Sequence, residues 1–409
     1  MTSFLLRRAA PATAAGASSL AAYYYNHTQQ RHYHSQCEAK PTPDPKDSNT
    51  ENMDTPKLIF LGTGSSTGCP KPLCTMVLQK TTVDKHLTLE QQAFRDKLES
   101  MCQVSKLAIQ EGGKGDPRHN KNYRNNPSFL IHHYDETDDE NNEPGTIKNI
   151  IIDVGKTFRE GALRWFPANQ IASLDAIVLT HHHMDAAAGL DDVRGFQKLA
   201  GSLGNSSTRV GPPARLPIPV YMSQFCFDNL SDQFPWLLPK PEKVLQKMDD
   251  SQPVVKRDVA SLDVGIFKDL QPFTTQGLEI VPLPVWHGDD LLSHGFAFSV
   301  RGKTGKPTNV VYLSDISRMV PETMEFILET LPQPTDILVI DSLLWHKENS
   351  VHFSLDQAMA LRDKIQPKQT YIVGTNCDSF LPHDEMNVLL QKEYGSVQLA
   401  YDGQVIELE

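Results

Sequence analysis

The stretch Leu179-Thr180-His181-His182-His183-Met184-Asp185-Ala186 comes directly after an apolar strand pattern that begins at Ala176. His181, His183 and Asp185 stand two residues apart, and a tight turn leaving a strand aims alternate side chains at one point. Neutral imidazoles and a carboxylate are the donors that Zn²⁺ and similar divalent ions take. His182, between them, is expected to face away and pack.

Other polar residues close apolar runs in the same manner. Asp153 follows Ile150-Ile151-Ile152, His287 follows Leu283-Pro284-Val285-Trp286, and Asp315 follows Val310-Val311-Tyr312-Leu313-Ser314. Strand ends that share a sheet edge can converge while the strands stay buried, so His181, His183, His287 and Asp315 are read as donors to one cation. Strands are expected at 58–61, 128–132, 147–154, 176–179, 218–222, 278–282, 296–300, 309–313, 336–340, 370–373 and 397–399. Helices are expected at 87–110, 158–166, 190–199, 322–329, 354–364 and 384–393. That mixture is α/β and predicts two sheets between helical layers. Gly62-Thr63-Gly64-Ser65-Ser66-Thr67-Gly68 lacks the Lys-Ser/Thr pair of a nucleotide-binding P-loop. Its main-chain amides remain candidates for holding a phosphate oxygen, although tight turn geometry alone would explain its glycines.

The chain has 409 residues, a net charge of −11 and six cysteines, at 37, 69, 74, 102, 226 and 377. The acidic balance argues against a broad nucleic-acid surface, and the scattered cysteines argue against a disulfide scaffold. No apolar run reaches the roughly 20 residues of a membrane span, so no membrane partner is expected. Residues 1–37 carry Arg7, Arg8 and Arg31 with no acid before Glu38, the composition of a transit peptide. Mitochondrial localisation is expected, with plastid or cytoplasmic localisation as alternatives. The Pro-rich polar segment 38–56 reads as a linker. The folded domain is expected over 57–409, with a helical insertion at about 84–122.

LGTG near Leu61, IIIDVG, LTHHHMDA, the isolated His287 and YLSD, in that order, resemble the metallo-β-lactamase superfamily. DVGKTFREGALRWF, GLDDVR, PVWHGDD and the closing AYDG are similar to its eukaryotic branch related to the cyclic-phosphate phosphodiesterase (PhnP-like) family. The resemblance covers most of the chain from Lys57 to Glu409. It implies an αββα four-layer sandwich with the metals at one edge of the sheets.

Carried over residue by residue, the resemblance implies a first metal site of His181, His183 and His287, with Asp315 as the carboxylate that bridges to a second site. That second site would add Asp185, the next residue and a late histidine. Here those two positions hold Ala186 and Asn376, so one tightly held ion is expected: zinc, with manganese or iron as alternatives. Asp185 is then free to orient or deprotonate water, and His352 matches a histidine that meets the substrate phosphate or its leaving oxygen. Asp153 is expected to support the loops without touching metal. The bacterial relative also carries a structural zinc; Cys74, Cys102, His383 and Cys377 occupy comparable places, with buried free thiols as the alternative. The expected function is a metal-dependent phosphodiesterase acting through an acidified water on a small, cyclic or open, phosphodiester. The alternatives are a degenerate non-catalytic protein of this fold, a tRNA 3′-processing-type nuclease, or a thioester or lactone hydrolase. Oligomeric state is left open.

Overall fold

The computed structural model describes residues 55–72, 74, 88–89, 102–112, 120–135, 146–199, 215–240 and 258–409. The expected transit peptide at 1–37 and nearly all of the linker at 38–56 lie outside the described residues, as does most of the expected insertion. A compact unit runs from Met53 to Glu409.

Its first sheet is built from β1 (Lys57–Gly62), β2 (Ser128–Asp135), β3 (Thr146–Ile152), β4 (Ala176–Val178), β5 (Ile218–Met222), β6 (Leu262–Ile266) and the late β15 (Val405–Glu407), in the order β15-β1-β2-β3-β4-β5-β6. The second contains β7 (Phe273–Thr275), β8 (Leu278–Trp286), β9 (Leu292–Arg301), β10 (Pro307–Leu313), β11 (Arg318–Met319), β12 (Ile337–Asp341), β13 (Gln369–Val373) and β14 (Val397–Leu399). Its order is β11-β8-β9-β10-β12-β13-β14, with β7 on β8. The described helices are α1 (Gln103–Gly112), α2 (Phe158–Trp165), α3 (Met184–Ala187), α4 (Gln224–Gln233), α5 (Pro321–Glu329), α6 (Leu355–Ile365) and α7 (His383–Tyr394).

The period-2 pattern assigns each face. Leu58, Phe60, Ile150 and Ile152 point between the sheets, onto Phe296, Val310, Tyr312 and Val339. Their neighbours Ile59, Leu61 and Ile151 point outward onto Phe158, Ala162 and Phe166. On the far side of the second sheet, Val311, Leu313, Leu338 and Ile340 pack under Ile327 of α5, Ala358 of α6 and Leu390 of α7. Both faces of each sheet are therefore covered, which is why the strands read as unbroken apolar runs. These are the four layers expected. β3 and β4 run parallel in one sheet, and β10, β12 and β13 run parallel in the other, so their carboxyl ends open on one edge.

Three local expectations are corrected. The strand expected to end at Pro282 continues to Trp286. The carbonyls of Pro282 and Pro284 point away from β9, to Leu270 N and Thr323 Oγ1, so the proline nitrogens lie on a side with no ladder to complete. The helix expected over 190–199 is only a 3-10 turn, Asp192–Phe196; Gly195 weakens a helix there, and Leu174 N bonds Phe196 O. In the polar helix expected at 87–110, Leu89 is helical, Cys102 is not and α1 begins after it, so the expected single helix is broken there; residues 90–101 lie outside the described residues.

Candidate metal centre

Two turns deliver the first donors. β3 ends at Asp153 in a left-handed conformation, φ +62°, uncommon for a residue with a Cβ. Its carboxylate accepts from Thr180 N at 2.9 Å and from Thr180 Oγ1 at 2.8 Å. The Thr180 hydroxyl has then given up its proton, so its lone pair accepts from His181 Nδ1 at 2.8 Å. That hydrogen bond places the ring proton on Nδ1 and leaves Nε2 as a bare lone pair. His181 Nε2 is buried and has no hydrogen-bond partner. Gly155, two residues after Asp153, is required because a Cβ there would lie 1.7 Å from Asp185 O.

His183 and His287 complete the triad. The His181 and His183 ring centroids are 4.6 Å apart, and His287 lies 5.2 Å from the first and 5.4 Å from the second. One ligand atom from each falls within 4.8 Å of the others. His287 Nδ1 donates to Val351 O at 2.7 Å, which again turns Nε2 inward. Burial drives His181 down to about 3, and burial together with His287 lowers His183. Both rings are held neutral, the form that binds metal.

β10 delivers the acid. Asp315 also has a left-handed backbone, φ +53°, and accepts from Ser314 Oγ at 2.7 Å. Burial alone would raise its pKa, yet His181, His287 and His352 hold it well below the usual carboxylate range. His287, Asp315 and His352 form a second set of donors within 4.8 Å of one another. Asp185 stands beside this group, raised by burial and by the Asp315 charge.

β12 contributes Asp341, whose Oδ2 lies 2.7 Å from His352 Nδ1. Burial opposes charge on that ring, but Asp341 overrides it and lifts His352 to about 9. A charged imidazole donates and does not ligate, so in this form His352 presents a proton, not a lone pair, to the donor set. Its position is fixed by the start of α6, where Ser354 and Gln357 make a capping box.

The structure therefore brings His181, His183, His287, Asp315, Asp185 and His352 to one edge and ties Asp153 to Thr180. Spacing alone did not single out Thr180 or Asp341; a polar residue beside the first ligand and an acid closing ILVID were the available signals. Thr180→Val is expected to weaken metal binding about 10–100-fold while Thr180→Ser retains it. Competition with a chromophoric chelator measures this, and equal affinities would show that the relay does not set the ring.

Of the two remaining positions, Ala186 is 3 % exposed and carries no donor side chain. The backbone N–H of Asn376 donates to Leu343 O at 3.1 Å, and its side-chain Oδ1 is buried without a hydrogen-bond partner. The Gly62–Gly68 turn is explained by packing: a Cβ on Gly62 would sit 1.8 Å from Asn126 O. Gly64 N and Gly68 N are already bonded to Asn125 O and Ser65 O, so neither amide is free for a phosphate oxygen.

The structural-zinc expectation is corrected in one ligand. Cys74, Cys102 and Cys377 do converge, with their sulfurs within 4.8 Å of one another, and Cys102 and Cys377 are 3.5 Å apart. His383 is engaged elsewhere. Its Nδ1 faces Arg124 Nη2 at 3.1 Å and its Nε2 faces Asn387 Nδ2 at 3.0 Å. The nearby thiol is Cys69, which shares the same buried cluster and contacts Cys377. Cys69 pairs across a bridge with Arg124, so the chain leaves and re-enters at adjacent points around the insertion, which concealed this proximity in the sequence. Cys74, Cys102 and Cys377 converge as three of the four ligands a closed structural zinc takes, with Cys69 beside Cys377. The Cys377 thiol is held protonated: Cys102 pulls it down, but Cys69 and burial drive it up to about 12.

Residues 148–374 match the model of the β-lactamase superfamily domain, 227 of the chain's 409 residues. The chain belongs to the β-lactamase superfamily. This is a family of metallo-β-lactamase-fold hydrolases, and solved structures of similar shape show how far the fold extends along the chain. A diphosphatase from the PhnP family superposes with a TM-score of 0.55 at 24 % identity, over 87 % of this chain and 98 % of that one. Zn²⁺-bound PqqB from Methylobacterium extorquens gives 0.53 at 13 %, over 86 % and 100 %. An octanoyltransferase of Porphyromonas gingivalis (strain ATCC BAA-308 / W83) is 26 % identical over 248 residues. That match takes in 59 % of this superfamily member but 39 % of the octanoyltransferase. Among the described residues, no helix is long and apolar enough to cross a membrane.

Proposed function

We propose that the protein is a phosphodiesterase with one divalent ion, zinc or alternatively manganese or iron, held by His181, His183, His287 and Asp315. The observation that carries this reading is the buried Nε2 of His181, orphaned inside a triad in which His181 and His287 are locked by their other nitrogen. Such an ion supplies Lewis acidity, lowering the pKa of water from about 15.7 to about 7. Asp185, unshared with a second ion and raised by burial, orients the attacking water and takes its proton. His352, charged through Asp341, gives a proton to the departing ester oxygen. A carboxylate and an imidazolium beside one donor set supply the base and the acid that phosphodiester cleavage needs.

The substrate is a small diester. The net charge of −11 opposes a long polyanion, which disfavours a tRNA-processing role. Localisation to the mitochondrion remains part of the proposal and rests on the composition of 1–37.

The test is turnover of bis(p-nitrophenyl) phosphate by the metal-loaded protein, abolished by chelation and restored by zinc or manganese. An octanoyl thioester belongs in the same panel because of the octanoyltransferase relative. Faster hydrolysis of the thioester than of the diester overturns the phosphodiester reading in favour of an acyl one; hydrolysis of neither supports the degenerate alternative.

A further inference from the structure

His182 is the one histidine of the triple-histidine turn that the proposed chemistry does not use. Its ring stands edge-on to Phe225, with centroids 5.5 Å apart, and 5.0 Å from His183. Phe225 lies in the first turn of α4, directly after β5, and is 54 % exposed. Met184, between His183 and Asp185, is 41 % exposed. Two large apolar side chains thus face solvent within one residue contact of the donor set. Each forgoes the burial that apolar side chains favour in water, and apolar surface left open beside a site marks what the site receives.

The charge nearby agrees. Asp289 and Asp290 are exposed on the loop after His287, and Arg318, the cation opposite, is already paired with Asp289 and stacked over Trp286. Lys156 is a cation whose charge reaches Asp185. One negative phosphoryl group is accommodated; a run of them is not. His352 and Val351 mark the side where the leaving oxygen departs, since Val351 O holds His287 and His352 carries the proton. Phe225 is reached from it through the ring contacts His352, His287, His183, His182, Phe225, and Met184 follows His183 in the same turn.

We infer that His182, Phe225 and Met184 form a shelf for an apolar, preferably aromatic, ester group that stays on phosphorus, making the substrate class monoanionic diesters with one such group. This deepens the phosphodiesterase reading and rests on it. His182 supplies an aromatic edge against which a second ring can stack, while Met184 adapts to the shape of its occupant.

The experiment compares 4-nitrophenyl phenyl phosphate with 4-nitrophenyl methyl phosphate, so the leaving group is constant and only the retained group changes. Wild-type protein is expected to favour the phenyl ester by about tenfold in kcat/KM, chiefly through KM, and Phe225→Ser is expected to erase the preference. Equal rates for both esters in the wild type, or a preference that survives in both Phe225→Ser and Met184→Ser, overturn the shelf. A calorimetric comparison of phenyl phosphate with methyl phosphate on the metal-loaded protein separates the two readings. If neither ester is turned over but phenyl phosphate still binds tighter, dependent on Phe225, the shelf stands and the phosphodiesterase reading fails. If both esters are cleaved but phenyl phosphate shows no advantage, the reverse holds.

Discussion

His183→Ala is expected to remove one equivalent of metal per chain and to bring phosphodiester turnover down to that of chelated protein. The metal's contribution is large, about nine units of water acidity, so its loss leaves only positioning by the remaining side chains. His183 suits the test better than His181. His183 is exposed, whereas His181 is buried and hydrogen-bonded through Thr180, and its removal would open a polar void in the fold. An unchanged circular-dichroism spectrum with lost metal therefore isolates the site. The difference in metal content is the informative quantity, because it is independent of whatever the Cys69, Cys74, Cys102 and Cys377 cluster holds. Loss of one equivalent fits a centre in which Ala186 supplies no donor. Loss of two would show a second ion coupled to the first. Retained hydrolysis of bis(p-nitrophenyl) phosphate would falsify the mechanism.

Much of this centre was legible because its logic is local. A strand followed by alternating donors is a short-range pattern, and the apolar runs before Asp153, His287 and Asp315 placed those residues at strand ends without knowledge of how the ends meet. What stayed hidden depends on contacts between distant segments. Thr180 becomes a relay only because Asp153, 27 residues earlier, turns through a left-handed backbone to meet it. Cys69 replaces His383 at the thiol cluster because a bridge between Cys69 and Arg124 closes the insertion. Arg124 in turn claims His383, which burial and that guanidinium hold neutral, down to about 2. Pro282 and Pro284 looked like a strand end, since their tolerance depends on which neighbour β8 lacks, a property of the sheet and not of the residues. The GSSTG turn suggested an anion cradle, but its glycines answer to the backbone of Asn125 and Asn126.

His352→Ala is expected to slow hydrolysis of an alkyl phosphodiester by about 10²–10⁴-fold, the usual contribution of a positioned acid, and to alter p-nitrophenyl ester turnover far less. The p-nitrophenolate leaving group departs without help, so the acid is superfluous there. A uniform loss across both substrates would instead assign His352 to phosphate binding or to the metal. The pH profile gives an independent reading. Because the folded protein raises His352 above the ordinary imidazole value, to about 9, the acid is fully protonated at neutral pH. Alkyl-ester activity should fall as pH climbs through about 9, on the alkaline side. Asp341→Asn removes the partner 2.7 Å from Nδ1, and burial then dominates and pulls the ring down, so the alkaline limb should move toward neutrality. Metal content should stay at the wild-type level in both variants, since Asp341 touches His352 and not the triad. An alkaline limb that does not move in Asp341→Asn would mean that another group supplies the proton, because the Asp341 carboxylate is what sustains the His352 charge in this buried setting.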